Sequence, residues 1–252
     1  MATKLAALTL YDIPSKLANK AWSPNTWKTR YCLNFKGIPY QTEWIEYPDI
    51  KALYETHHIP APRTKGDGSP DYTLPLLHDS TTGKFVPDST AIALYLEEHY
   101  PEAPVLFPPG TKTLILAYEP AFDPLTDEIG LKFVIPRAHG ILNERSAEYF
   151  RETRERAFHC KIEEIEPQGE ERAQAWAKAK AEFDQIAEWY EKDQILVMGD
   201  KVSYADVALA GWIVWLKLVF GEESDEWQDI ATWSDGRWAK LLETLAPYET
   251  IS

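Results

Sequence analysis

Residues 5–11 (LAALTLY) form a short apolar run closed by Asp12 and Pro14, the pattern of a short buried strand. Pro24 then opens a stretch in which Trp27, Tyr31 and Phe35 recur every fourth position, one apolar stripe of a helix over 24–36. Proline suits the first helical turn, where its missing N–H has no partner to lose, and Gly37 supplies a stop. In residues 40–47 (YQTEWIEY), Tyr40, Thr42 and Trp44 face one way and Gln41 and Glu43 the other, which predicts a second strand. A short helix over 48–56 follows. Residues 57–71 hold three Pro and two Gly in fifteen positions and read as a loop. Two further strands, 72–78 and 84–86, join through a turn at Thr82–Gly83, and Asp88 and Ser89 open a helix carrying Ile92, Tyr95, Leu96 and His99. The order β-α-β-α-β-β-α implies a parallel first strand pair across a helix and a final hairpin.

The grammar then changes. Residues 101–110 (PEAPVLFPPG) hold four Pro in ten positions, a stiff linker. Beyond it the strand pattern fades, and helices are predicted over 111–140, 146–165, 170–192, 203–220 and 237–245. The third has a clear apolar face through Ala173, Trp176, Ala177, Phe183, Ile186 and Tyr190. The chain thus divides into an α/β domain at residues 1–100, a linker at 101–110 and an all-helical domain at 111–252. Trp176, Trp189, Trp212 and Trp215 sit at helical spacings and are expected in the core.

Composition narrows the function classes. With 26 Lys and Arg against 40 Asp and Glu, the net charge of −14 repels a phosphate backbone, and no dense basic patch offsets it. Nucleic acid is excluded. The best apolar run, 207–216, is ten residues between Asp206 and Lys217, short of the roughly 20 a spanning helix needs. The run at 5–10 is too short for a leader core. A protein without membrane partners, in the cytoplasm, is expected. Cys32 and Cys160 stand alone, without metal or redox spacing, which favours a reducing compartment. His57–His58 lacks a ligand partner at helical spacing, so no metal is expected.

Three places offer chemistry. Pro75 starts a strand or sits at a cis turn, and Leu74 before it offers its backbone to an extended peptide. Asp88 and Ser89 either cap their helix or, with its free N–H groups, receive the charged end of a ligand. Ser23, in WSPNTW, either caps its helix or points a hydroxyl where the helix dipole favours an anion such as a thiolate, with Asn25 beside it.

Taken in order, these residues, the linker and the helical half resemble the cytosolic glutathione transferases over the whole chain. Ser203-Tyr-Ala-Asp206 is similar to the capping box that family carries in its helical domain. Residues 22–50 are similar to the fungal-specific FuA class, itself related to bacterial glutathione-dependent β-etherases. The resemblance implies a thioredoxin-like glutathione-binding domain before the helical one, glutathione as co-substrate, and a homodimer. It implies Ser23 as the thiol-activating residue with Asn25 second, Leu74 and Pro75 for the cysteinyl part, and Asp88 with Ser89 for the γ-glutamyl end. Ser23 and Thr26 stand where a redox-active Cys pair would be, so two-thiol chemistry is not expected, and Cys32 reads as a buried apolar residue. The hydrophobic substrate is expected between the domains, against Trp22, Tyr118, Phe122 and Phe133. Arg63 and Lys65 are either solvated loop charges or contacts of the glycinyl carboxylate. Conjugation of aromatic electrophiles in detoxification, with peroxide reduction beside it, is the first reading. A β-aryl-etherase, a ligandin for phenolic wood compounds and a non-catalytic relative of the fold remain alternatives.

Overall fold

The computed structural model describes residues 6–252; Leu5, the first residue of the predicted strand, lies outside them. Strand β1 (Leu8–Asp12) is buried along its whole length and is central in a four-stranded sheet of order β2-β1-β5-β6. Strand β2 (Tyr40–Trp44) runs parallel to it, Leu8 facing Tyr40, while β5 (Leu76–Asp79) and β6 (Lys84–Pro87) are antiparallel. The expected strand at 72–78 begins only after Pro75, because a proline within the ladder would remove a hydrogen bond. The expected loop at 57–71 contains a small ribbon, β3 (Arg63–Thr64) paired with β4 (Pro70–Asp71), whose two-residue strands are too short to leave an alternation.

Helix α1 (Pro24–Phe35) joins β1 to β2, and α2 (Ile50–Thr56) follows β2 after a 3-10 turn, Tyr47–Asp49. Gly37 ends the first at φ 65, in the left-handed region that glycine enters freely. Trp27 and Tyr31 are buried as their spacing required, yet so are the intervening Lys28 and Arg30. A buried charge must be paired. Arg30 donates from Nη2 to Asp12 Oδ2 at 2.7 Å, and Lys28 meets Glu119 of the helical half.

Helix α3 (Ser89–His99) packs on the sheet and on α1. The predicted single helix over 111–140 is three pieces: α4 (Lys112–Ile129), a π-helical segment Gly130–Val134, and α5 (Ile135–Ile141). Pro120 and Pro124 lie inside α4 and each withholds an N–H from its ladder. Next come α6 (Glu144–Phe158), α7 (Gly169–Ala187) and α8 (Tyr204–Phe220). Helix α9 (Asp225–Leu245) extends twelve residues before the predicted start. It is broken at Trp233–Gly236, where Ser234, Asp235 and Gly236 all have positive φ. Of the four tryptophans expected in the core, Trp215 is buried, and Trp212 and Trp176 are half-buried, the last donating from Nε1 to Asp229 at 2.6 Å. Trp189 is 43% exposed, because it lies just beyond the end of α7.

The C-terminal stretch straps the α/β half. Tyr31 Oη donates to Glu249 at 2.7 Å, and the Asn34 amide donates to the carbonyls of Tyr248 and Thr250. Among the described residues no helix is long and apolar enough to cross a membrane.

Candidate active site

Ser23 is the residue before α1, in extended conformation (φ −69, ψ 133), and its side chain makes no capping hydrogen bond. The hydroxyl has no partner among the described residues and lines a cavity of about 530 Å3. Asn25 lines the same cavity, its Oδ1 accepting from Lys28 Nζ at 3.0 Å. The backbone segment Thr73–Leu74 forms another side. The Leu74–Pro75 peptide is cis, and Tyr54 Oη donates to the Thr73 carbonyl at 2.7 Å.

The acidic turn sits next to this wall. Asp88 N–H donates to the Pro75 carbonyl at 3.3 Å. Asp88 has φ 78, and its Oδ1 accepts from the N–H groups of Thr90 and Ala91, the capping bonds the sequence allowed. Its second oxygen faces Arg63 Nη2 at 3.3 Å. Asp88 and Ser89 line a second cavity of about 350 Å3 together with Arg63, Glu119, Asp123 and Tyr204. The expected site residues therefore fall into two separate hollows, Ser23, Asn25 and Leu74 in one and Asp88 and Ser89 in the other. Pro75 lines neither, but its carbonyl ties the Asp88 turn to the residue after Leu74.

The four residues expected to hold an aromatic substrate do not line the Ser23 cavity. Trp22 is 2% exposed, its ring turned inward toward Tyr47 with centroids 6.3 Å apart. Adjacent residues of an extended turn face opposite ways, so the outward Ser23 hydroxyl sends Trp22 inside. Phe122 and Phe133 are fully buried, the latter edge-on to Trp176 at 5.0 Å. Tyr118 shares a hydrogen bond with Tyr190. Trp22 packs within the α/β half, and Tyr118, Phe122 and Phe133 belong to the packing of the helical half.

The aromatic wall is instead Tyr47, Tyr72 and Tyr149, with Ile13 and Ile50. Tyr47 stacks on Tyr149 of α6 at 6.0 Å and 15°. The approach of α6 is fixed by polar bonds: Tyr47 N–H donates to Ser146 Oγ at 2.9 Å, Asn143 donates to Glu46 at 2.8 Å, and Arg145 forks onto Asp49 through two bonds of 2.8 Å. The α6 face also brings Thr153, Arg154, Arg156 and Ala157 to the cavity. Tyr149, Thr153 and Ala157 are four apart, a stripe visible in the sequence that gave no hint of what it faced. Burial pushes the Tyr47 phenol up to about 12, with the Arg154 guanidinium pulling the other way.

Lys65 lines the Ser23 cavity, whereas Arg63 belongs to the Asp88 hollow. Cys32 is fully buried, and burial pushes its thiol up, which makes it inert. His57 packs its ring on Phe85 at 4.6 Å. Among the described residues no group of three His, Cys, Asp or Glu could hold a metal ion.

The first domain thus presents a helix start with an unpartnered hydroxyl and, tied to the neighbouring Pro75 wall, an acidic helix start. Comparison with known proteins shows the family. The glutathione S-transferase N-terminal domain model matches residues 22–99, and the C-terminal domain model matches 113–248. The Glutathione S-transferase-like protein ustS of Aspergillus flavus is 31% identical over 95% of this chain and 90% of its own. The glutathione S-transferase CsGST63524 of Ceriporiopsis subvermispora, solved in complex with glutathione, is 46% identical. It aligns over 98% of this chain and 99% of its own with a TM-score of 0.93. Glutathione transferase GSTFuA3 of Phanerochaete chrysosporium is 40% identical over 99% and 100%, with a TM-score of 0.91. The chain belongs to the glutathione S-transferase family, and glutathione is its co-substrate.

Proposed function

We propose that this is a Ser-type glutathione transferase in which the Ser23 hydroxyl donates a hydrogen bond to the glutathione thiolate and readies it for attack on aromatic electrophiles. The observation that carries the reading is the free hydroxyl. Ser23 stands at the N-terminal end of α1 and lines a cavity, and its hydroxyl makes no capping bond to that helix, which it joins only through its carbonyl. The magnitudes suffice. A free thiol with pKa near 8.5 is about 3% thiolate at pH 7, and lowering it by about two units needs roughly 2.7 kcal/mol of preference for the anion. One charge-assisted hydrogen bond supplies about 1.5–3 kcal/mol, and the helix terminus adds up to about 1 kcal/mol. Ser23 stabilises the nucleophile without becoming one.

The tripeptide then lies along the first domain, its cysteinyl part against the Leu74 backbone before Pro75, with Asn25 orienting the sulfur side. Its γ-glutamyl ammonium goes to Asp88, whose outward oxygen faces only Arg63, and its carboxylate to Ser89 and the start of α3. The electrophile enters from the α6 side and stacks on Tyr47, Tyr72 and Tyr149. The same thiolate reduces a hydroperoxide by attacking its terminal oxygen. That step releases the alcohol and leaves a glutathione sulfenic acid, which a second glutathione converts to the disulfide and water. A homodimer and a cytoplasmic role in detoxification complete the reading. The three cavity tyrosines also favour a second one, a ligandin that holds aromatic compounds without turnover.

Calorimetric titration of glutathione, run beside turnover of an activated aryl halide in wild type and Ser23→Ala, tests this. Binding in both with turnover lost in the variant supports the transferase. Binding of aromatic ligands without turnover in wild type supports the ligandin, and absence of glutathione binding contradicts both the site and the reading.

A further inference from the structure

The cations of α6 are used unequally. Arg145 is paired with Asp49, and Arg151 with Glu155 and Glu163. Arg154 and Arg156 have no carboxylate partner among the described residues, in a chain with 40 acids to 26 bases. Both line the cavity that holds Ser23. Arg154 is half-buried, lies over the Phe150 ring at 4.4 Å, and donates only to its neighbour Thr153 at 3.1 Å. Its charge also reaches the Tyr47 phenol inside the cavity. The carboxylates of the same cavity, Asp67 and Asp71, come from the β3–β4 segment together with Lys65, and Asp67 is engaged by Ser69 at 2.6 Å. The α6 wall thus presents two guanidinium groups, Arg154 half-buried and Arg156 exposed, that form no ion pair among the described residues and lie beside three tyrosine rings.

From this arrangement we propose that the cavity selects aromatic electrophiles carrying an anionic group, an arene carboxylate for example. The ring stacks on the tyrosines and the anion is received by Arg154 and Arg156. The inference rests on the transferase reading above and specifies its substrate class. An arginine fork matches a carboxylate bidentately, and a half-buried guanidinium left without a partner gains one when such a substrate docks. In the reaction, the thiolate sulfur forms a bond to the ring carbon that carries chloride, and the ring's nitro groups take up the electron pair. Chloride then departs with the carbon–chlorine bonding pair, and the thiol proton goes to solvent. The anionic group takes no part in bond making; it sets orientation and affinity.

The test compares a chlorodinitrobenzoate with the matching chlorodinitrobenzamide at saturating glutathione, each rate divided by its uncatalysed rate. Wild type is expected to favour the benzoate about tenfold in kcat/KM, and Arg154→Gln/Arg156→Gln to bring the ratio close to one. Because the readout is a ratio within one protein, a partly destabilised variant still reports. Arg154→Lys, which keeps the charge but loses the fork, is expected to give a ratio between those of wild type and the double variant. A wild-type ratio near one overturns the proposal. So does a variant that keeps the ratio while its KM for glutathione climbs with both electrophiles, which assigns the arginines to the tripeptide's own carboxylates. If wild type binds no glutathione and turns over neither compound, the transferase reading fails and this inference with it.

Discussion

Gly211 of α8 lies so close to Pro24 of α1 that a methyl group on it would stand 2.8 Å from the Pro24 carbonyl oxygen and equally near Lys28 Cγ. Real carbon–oxygen contacts are not that short, so a side chain at 211 must push α1 outward. Pro24 directly follows Ser23, and the displacement would move the hydroxyl. Gly211→Ala is therefore expected to cost about 1–3 kcal/mol by overpacking and to lower turnover more than glutathione affinity. Urea unfolding with parallel kinetics checks this; an unchanged kcat would show that the first turn tolerates the shift.

The capping box of α8 ties the helical half together. Asp206 accepts from the N–H groups of Ser203 at 2.8 Å and Val197 at 2.6 Å, and from the Ser203 hydroxyl at 2.7 Å. Burial pushes its carboxyl up, and these donors pull it back. Asp206→Ala strands two buried N–H groups, at about 1–3 kcal/mol each. A loss of about 2–6 kcal/mol on denaturant unfolding, with the active-site residues untouched, is the expected result.

Asp88 serves both its helix and the ligand, and one substitution separates the roles. Asn keeps an acceptor for Thr90 and Ala91 and tolerates the positive φ, while removing the charge. Asp88→Asn is expected to leave the melting temperature nearly unchanged and to weaken glutathione about 10- to 100-fold, by loss of a charge-assisted bond to its ammonium. Arg63→Gln, which frees the carboxylate from its 3.3 Å neighbour, is expected to tighten it slightly. Calorimetry on both variants reads the outcome.

The Tyr47 phenol carries a pH signature. Burial raises its pKa from the ordinary 10.0 to about 12. A group raised in the folded state favours folding below its unfolded pKa. Tyr47 therefore contributes stability below about pH 10, lost as pH climbs through about 12. Tyrosinate absorbance of wild type minus Tyr47→Phe should show this late step, and Arg154→Gln should move it higher. A step at the ordinary value would place Tyr47 in open solvent.

The sheet was legible because its strands are bounded by punctuation: Asp12 with Pro14 after β1, Gly37 before β2, Pro75 before β5, and Asp88 with Ser89 after β6. The Ser23, Leu74 and Asp88 positions were legible because helix starts and a strand-breaking proline leave marks in a single chain. The opposite wall was not. Tyr47, Tyr149 and Arg154 meet only because Ser146, Asn143 and Arg145 dock α6 against the segment after β2, pairings nearly 100 residues apart. Phe122 and Phe133 misled for a related reason. A single helix was expected, but Phe122 lies in α4 and Phe133 in the π-helical segment, and which faces look toward the site depends on α7 and α8, which no local pattern encodes. Gly211 gave no sign at all, since close approach between α1 and α8 is a property of the pair.

The most direct measurement is the pKa of the thiol of bound glutathione, read from thiolate absorbance across pH in wild type and Ser23→Ala. The account predicts a wild-type value about two units below that of the free thiol and a rise of about one to two units in the variant, with glutathione still bound. The same pKa in both proteins would show that the Ser23 hydroxyl does not hold the sulfur, and would contradict the account.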